Sequence, residues 1–341
     1  MAAEVERLHP LRFEGKVEVH RLQSRVLDGG HFGDPTERHL YTYVPPGDHG
    51  PLPVVYLLPG FTGTPTNFLE VHPWKEGAVK AYDRLVAKGE VEPALLVMPD
   101  CWTRLGGSQF VNSTALGRYT DYLVQEVVPA IDTAYRTLPG ARGVVGKSSG
   151  GFGAMHLTLD HPGVFRAAGS ISGDVDFELA CSTEFPAACR GLVDHGMDPA
   201  AFLEAFLASP VLKGDDHAVL NTIAMSACYS PTPDSQLGFD LPFDLETCTR
   251  IPEVWQRWLA FDPLHRIEAP AAQEAWRSLE LLHLECGLKD QFHLQWGLRK
   301  LHGRLDALGI PHDHVEHPGS HFEINDRYPP LISKVARALT R

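Results

Sequence analysis

Five short apolar runs, each halted by glycine, proline or aspartate, constrain the fold of this chain more than any other feature of its sequence. Val54 to Leu58 stops at Pro59-Gly60, and Ala94 to Met98 stops at Pro99-Asp100. Gly143 to Gly146 leads into a serine and glycine cluster, Ala167 to Ser172 into Gly173-Asp174, and Leu281 to Cys286 into Gly287. A strand with one wet face alternates polar and apolar residues, so unbroken runs of this length predict strands buried on both faces. Helical spacing fills the gaps at Tyr119 to Tyr135, Phe292 to Leu308 and Pro330 to Leu339. Strands alternating with helices predict an α/β fold with a mostly parallel central sheet flanked by helices. Phe13 to Tyr43 reads as antiparallel strands around the turn-rich Asp28 to Pro35, an antiparallel edge on that sheet.

One interval breaks the rhythm. Residues 174–279 are rich in proline, tryptophan and cysteine, with helical patches at Pro199 to Leu207 and Val254 to Leu259. A crossover between parallel strands needs only about a dozen residues, so this interval reads as an inserted cap. The expected organisation is a single domain over 1–341, with a core of 12–173 and 280–341 and the cap insertion at about 174–279.

The net charge of −13 disfavours nucleic acid and anionic membrane surfaces, so neither is expected as a partner. No apolar run reaches the roughly 20 residues of a spanning helix. The first residues, Met1 to Arg7, lack the basic start and apolar stretch of a secretory signal, which makes the expected location cytoplasmic. The six cysteines show no paired spacing and read as reduced, mostly buried thiols.

The chemistry is concentrated in Gly146-Lys147-Ser148-Ser149-Gly150-Gly151, a G-x-S-x-G sequence between an expected strand and the helical pattern Phe152 to Leu159. A serine on a tight strand-to-helix turn projects into solvent, and side chains at the flanking positions would clash, hence the glycines. The spacing of a phosphate-binding loop is absent, because its first glycine would fall at Ala141. Serine alone is a poor nucleophile and needs a base, which in such folds follows in the order serine, acid, histidine. Asp290 falls just after the strand Leu281 to Cys286, and His321 just after the β-like run His312 to His317. Ser148, Asp290 and His321 are therefore the expected catalytic residues, with Asp174 and Asp262 as rivals for the acid. An oxyanion needs two backbone donors. The amides of Ser149 and Phe61, the latter in Pro59-Gly60-Phe61-Thr62-Gly63, are the expected pair.

Here the sequence resembles the putative-esterase (esterase D-like) branch of the α/β-hydrolase superfamily. The resemblance rests on Tyr56 to Thr64, Gly146 to Ala154, Gly287-Leu288-Lys289-Asp290 and Gly319-Ser320-His321, and spans roughly residues 15 to 340. It implies an α/β-hydrolase fold, and Ser148 as nucleophile, Asp290 as acid and His321 as base. Many members have histidine where this chain has Pro59 and Lys147. The expected function is a serine-dependent carboxylic ester hydrolase acting through an acyl-enzyme on a small-molecule ester, with no cofactor. An acyltransferase with the same triad, a thioester hydrolase like S-formylglutathione hydrolase, and a non-catalytic binding protein on the same scaffold stay open.

Two further constellations bear on the site. Trp255 and Trp258 belong to an aromatic-rich part of the cap, and with Trp102 and Gln109 they are the candidates for binding substrate. His312, His314, His317 and His321 form H-x-H-x2-H-x3-H, which invites a metal. On a strand His317 would face away from His312 and His314, one histidine belongs to the triad, and no cysteine or carboxylate completes a set. No metal is expected.

Overall fold

The computed structural model describes residues 13–70 and 74–341. The reading of the first seven residues, and residue 12 at the start of the expected core, lie outside the described residues. Among the described residues, eight strands form one sheet: β1 (Lys16–Gln23), β2 (Glu37–Val44), β3 (Leu52–Leu58), β4 (Leu95–Pro99), β5 (Thr137–Lys147), β6 (Ala167–Ile171), β7 (Leu281–Lys289) and β8 (Asp313–Ser320). Their spatial order is β1-β2-β4-β3-β5-β6-β7-β8. From β4 to β8 every neighbour is parallel, while β2 runs antiparallel to both β1 and β4.

The unbroken apolar runs are explained by two separate cores. In β3, Val54, Tyr56 and Leu58 face one core, and Val55 and Leu57 face the other. Helix α1 (Ala78–Ala87) closes the second core together with the C-terminal helix. The stretch expected as a single helix over 119–135 is broken. Tyr119–Asp121 is α-helical, Tyr122–Val127 widens to a π-helical turn in which Val128 N bonds Leu123 O, and α2 (Val128–Ala134) follows. Pro129 has no amide to donate, and the wider turn precedes it.

Helix α3 (Ser149–Asp160) packs on the first core directly after the glycine-rich turn. Between β6 and β7 lie α4 (Phe185–Leu192), α5 (Pro199–Ala208), α6 (Asp216–Tyr229), α7 (Pro252–Leu259) and α8 (Pro270–Arg277). Helix α9 (Leu294–Ala307) joins β7 to β8, and α10 (Tyr328–Leu339) ends the chain. Among the described residues no helix is long and apolar enough to cross a membrane. All six cysteines are free thiols, three of them buried.

Candidate active site

Parallel strands place their carboxyl ends on one side of the sheet, where ligands bind in open α/β folds. Among the segments that leave that side are Pro59-Gly60-Phe61 after β3, Ser148 after β5, Ser172 to Asp174 after β6, Asp290 after β7 and His321 after β8. Ser148 has φ 57° and ψ −127°, a backbone conformation that L-residues rarely adopt. The surrounding backbone leaves no room for side chains. A Cβ at Gly150 would stand 2.0 Å from the Leu58 carbonyl oxygen, and one at Gly146 would stand 2.2 Å from the Gly150 oxygen. The strained turn is thus held by β3 on one side and by the start of α3 on the other.

His321 Nδ1 donates to Asp290 Oδ2 at 2.7 Å, and both side chains are buried. The other Asp290 oxygen accepts the Phe292 amide at 2.9 Å, and the Gln291 side-chain oxygen accepts the His321 amide at 3.0 Å. Burial alone would push the Asp290 carboxyl up. The His321 hydrogen bond and charge, the Phe292 amide and the Ser172 hydroxyl outweigh it, and the carboxyl sits below its ordinary range. The Phe292 ring meets the imidazole edge-on, centroids 4.7 Å apart, which limits where the ring can turn.

Ser148, Ser149, Gly60, Phe61 and His321 line one cleft of about 170 Å³. The Ser149 amide opens α3, where no carbonyl of the same helix can accept it. The Phe61 amide has no acceptor among the described residues. The structure therefore brings together all five residues expected for catalysis and oxyanion binding. Neither rival acid is bonded to the imidazole: Asp262 caps the amides of Asp176, Phe177 and Leu264, and Asp174, in the same cleft, accepts from Gln109 Nε2 at 3.2 Å.

The expected substrate-binding residues fare differently, for none of Trp102, Gln109, Trp255 and Trp258 lines the cleft. Trp258 is fully buried, its indole N–H on Ser230 Oγ at 2.9 Å, and Trp255 donates to Glu178 at 2.8 Å. Their rings pack with each other and with Phe185, because a large ring with one polar atom is satisfied best inside an aromatic cluster that supplies an acceptor. Trp102 is partly exposed and engages Arg38 only through its backbone carbonyl. Gln109 stands one layer back, touching the cleft residues Asp174 and Met225.

The wall comes instead from Asp174, Ala180, Cys181 and from His217, Asn221 and Met225 of α6. The last three are spaced four residues apart and so share one helix face. That spacing in an otherwise apolar helix was the sequence signal available for them. Lys147 lines the cleft too, its ammonium 5.2 Å from the Phe322 ring centroid; burial lowers its pKa against the opposing pull of Asp290. Burial also pushes the Asp174 carboxyl up to about 7, against the Gln109 hydrogen bond and with the help of the Asp290 and Glu184 charges.

This strand order, with a serine at the end of β5, defines an α/β-hydrolase fold. The family model described as "Putative esterase" matches residues 35–293, and the chain belongs to that family. It is 26% identical to S-formylglutathione hydrolase of Mus musculus over 140 residues, 38% of this chain and 49% of the relative. The matched stretch thus spans about half the length of that curated relative. Among solved structures, a ferulic acid esterase superimposes with a TM-score of 0.60 at 20% identity, covering 96% of this chain and 100% of the other. An S-formylglutathione hydrolase from Agrobacterium tumefaciens gives 0.58 at 17%, covering 96% and 97%.

Proposed function

We propose that this chain is a serine-dependent carboxylic ester hydrolase with Ser148 as nucleophile. The observation that carries the reading is a His321 imidazole, paired with Asp290 at 2.7 Å, that lines the same cleft as a serine on a strained, glycine-cradled turn. His321 takes the Ser148 proton as Oγ attacks the ester carbonyl, and the amides of Phe61 and Ser149 hold the resulting oxyanion. The same proton passes to the leaving alcohol as the acyl-enzyme forms. Water then repeats the steps and frees the acid. Asp290 keeps the imidazole in the tautomer that leaves Nε2 free to accept, and offsets its charge once protonated.

Within this reading residues 174–279 form the cap of one hydrolase domain, supported by α6 supplying part of the cleft wall and by β6 and β7 lying side by side. The six free thiols support a cytoplasmic location. The cleft of about 170 Å³ is smaller than the roughly 300–1,000 Å³ of sites for drug-sized ligands, which favours short acyl groups.

The test is hydrolysis of p-nitrophenyl esters of rising acyl length, beside feruloyl esters and thioesters, by the wild type and Ser148→Ala. Turnover should be highest on short acyl groups and fall by several orders of magnitude in the variant. A variant that retains wild-type turnover would refute the assignment. A product made faster on an added alcohol than on water would move the reading to acyl transfer.

A further inference from the structure

The four histidines of the run 312–321 part company in the fold. His321 joins Asp290 at the cleft, whereas His312 and His314 lie at the opposite end of β8, about 25 Å away for eight residues at roughly 3.3 Å each. There α9 supplies the partners that were missing from the strand. His302, Asp306 and His312 each offer one ligand atom within 4.8 Å of the others. His302 Nδ1 and His312 Nε2 are 2.8 Å apart. The Asp306 carboxylate lies 3.6 Å from His302 Nε2 and 4.0 Å from His312 Nε2. His302 and Asp306 are four residues apart on α9 and so project from one face.

Two observations make this more than a surface cluster. His312 Nδ1 is 2.8 Å from the Ile310 carbonyl, which only accepts, so the proton is on Nδ1 and the Nε2 lone pair faces the cluster. That is how a ligating histidine is held, its second nitrogen fixed by backbone. His314 stacks on His302 with centroids 4.2 Å apart, and its own Nε2 is buried without a hydrogen-bond partner among the described residues. The His302 ring is thereby held between two others before any ligand arrives.

We propose that His302, Asp306 and His312 bind one borderline divalent transition-metal ion of the zinc or nickel type, with water completing its shell. Two imidazoles and one carboxylate suit such ions, while magnesium and calcium take oxygen ligands. As the metal takes Nδ1 of His302, the proton that nitrogen donated is released to solvent and Nε2 takes one up, so the imidazole stays neutral. Asp306 is mostly exposed and His302 partly so, giving the ion direct entry. The bound ion ties the last turns of α9 to the entry of β8. Asp290 lies just before the start of α9 and His321 just after the end of β8, so the clip braces the Asp290–His321 pair from its far side. The sequence reading weighed only the histidines of the strand run, whereas His302 and Asp306 lie on α9, ten and six residues before His312.

Calorimetric titration of Zn²⁺ or Ni²⁺ into the chelator-treated full chain tests this. One equivalent should bind in the micromolar range or tighter, and Mg²⁺ should give no heat. His302→Gln and Asp306→Asn alter partly or mostly exposed side chains; each should weaken binding on the order of tenfold or more and leave metal-free ester hydrolysis unchanged. Zn²⁺ should raise the thermal midpoint of the wild type but not of His302→Gln. Binding only in the millimolar range, equal binding of Mg²⁺, or an affinity unmoved by both substitutions would overturn the site.

Discussion

At the turn around Ser148, a single added Cβ would stand 2.0 Å from a strand carbonyl; between β6 and β7, Trp255 and Trp258 pack into an aromatic core that supplies an acceptor to each indole. The first region is specified by what its backbone excludes, the second by how large rings pack and where their N–H groups find acceptors. A glycine forced by crowding has one physical reason, so the residue type reveals the geometry. A tryptophan serves equally as cleft wall and as core, so its presence reveals neither.

That contrast can be broken by substitution. The largest effect should come from Gly150→Ala. Its Cβ cannot coexist with the Leu58 carbonyl, so Ser148 or β3 must move, and esterase turnover should fall by orders of magnitude. Near-wild-type turnover would mean that the turn tolerates displacement and that crowding does not specify it. Trp258→Ala should cost about 3–5 kcal/mol in stability, as for other large-to-small changes in a core, while acyl-chain preference stays constant. Denaturant unfolding beside an ester series reads both. Met225→Ala opens the cleft itself, and should shift the ratio of kcat/KM between neighbouring acyl lengths by about 1–3 kcal/mol toward the longer. Reversed outcomes for Trp258 and Met225 would exchange core and wall.

The smallest effect concerns Asp174. The folded chain holds its carboxyl proton up to about pH 7, against an ordinary value of 3.8. Folded protein therefore binds more protons than unfolded protein between those values, and stability falls as pH rises through that window. Asp174→Asn removes this contribution, so its thermal midpoint relative to wild type should climb from pH 4 to pH 7 and level off above. A constant difference across the range would show that Asp174 ionises normally.

The sheet was legible because both its faces are buried, which turns β3 and its neighbours into unbroken apolar runs. Asp290 and His321 were legible because strand ends after β7 and β8 are the positions from which side chains reach a serine after β5. The edge pair β1 and β2 appears where antiparallel strands were expected. The helix over 119–134 was legible in extent but not in its π-helical turn, since apolar spacing records which face is buried and not the pitch. The face of α6 that walls the cleft was missed because its three residues are chemically unlike one another and only their spacing relates them. Ser172, whose hydroxyl helps hold the Asp290 carboxyl ionised, carries no local signal at all.

The proposed nucleophile is Ser148, and not its neighbour Ser149. A fluorophosphonate probe followed by peptide fragmentation tests it most directly. One adduct should form, on Ser148 Oγ, absent in Ser148→Ala and formed much more slowly in Asp290→Asn. An adduct on Ser149, or labelling of Ser148→Ala at the wild-type rate, would contradict it.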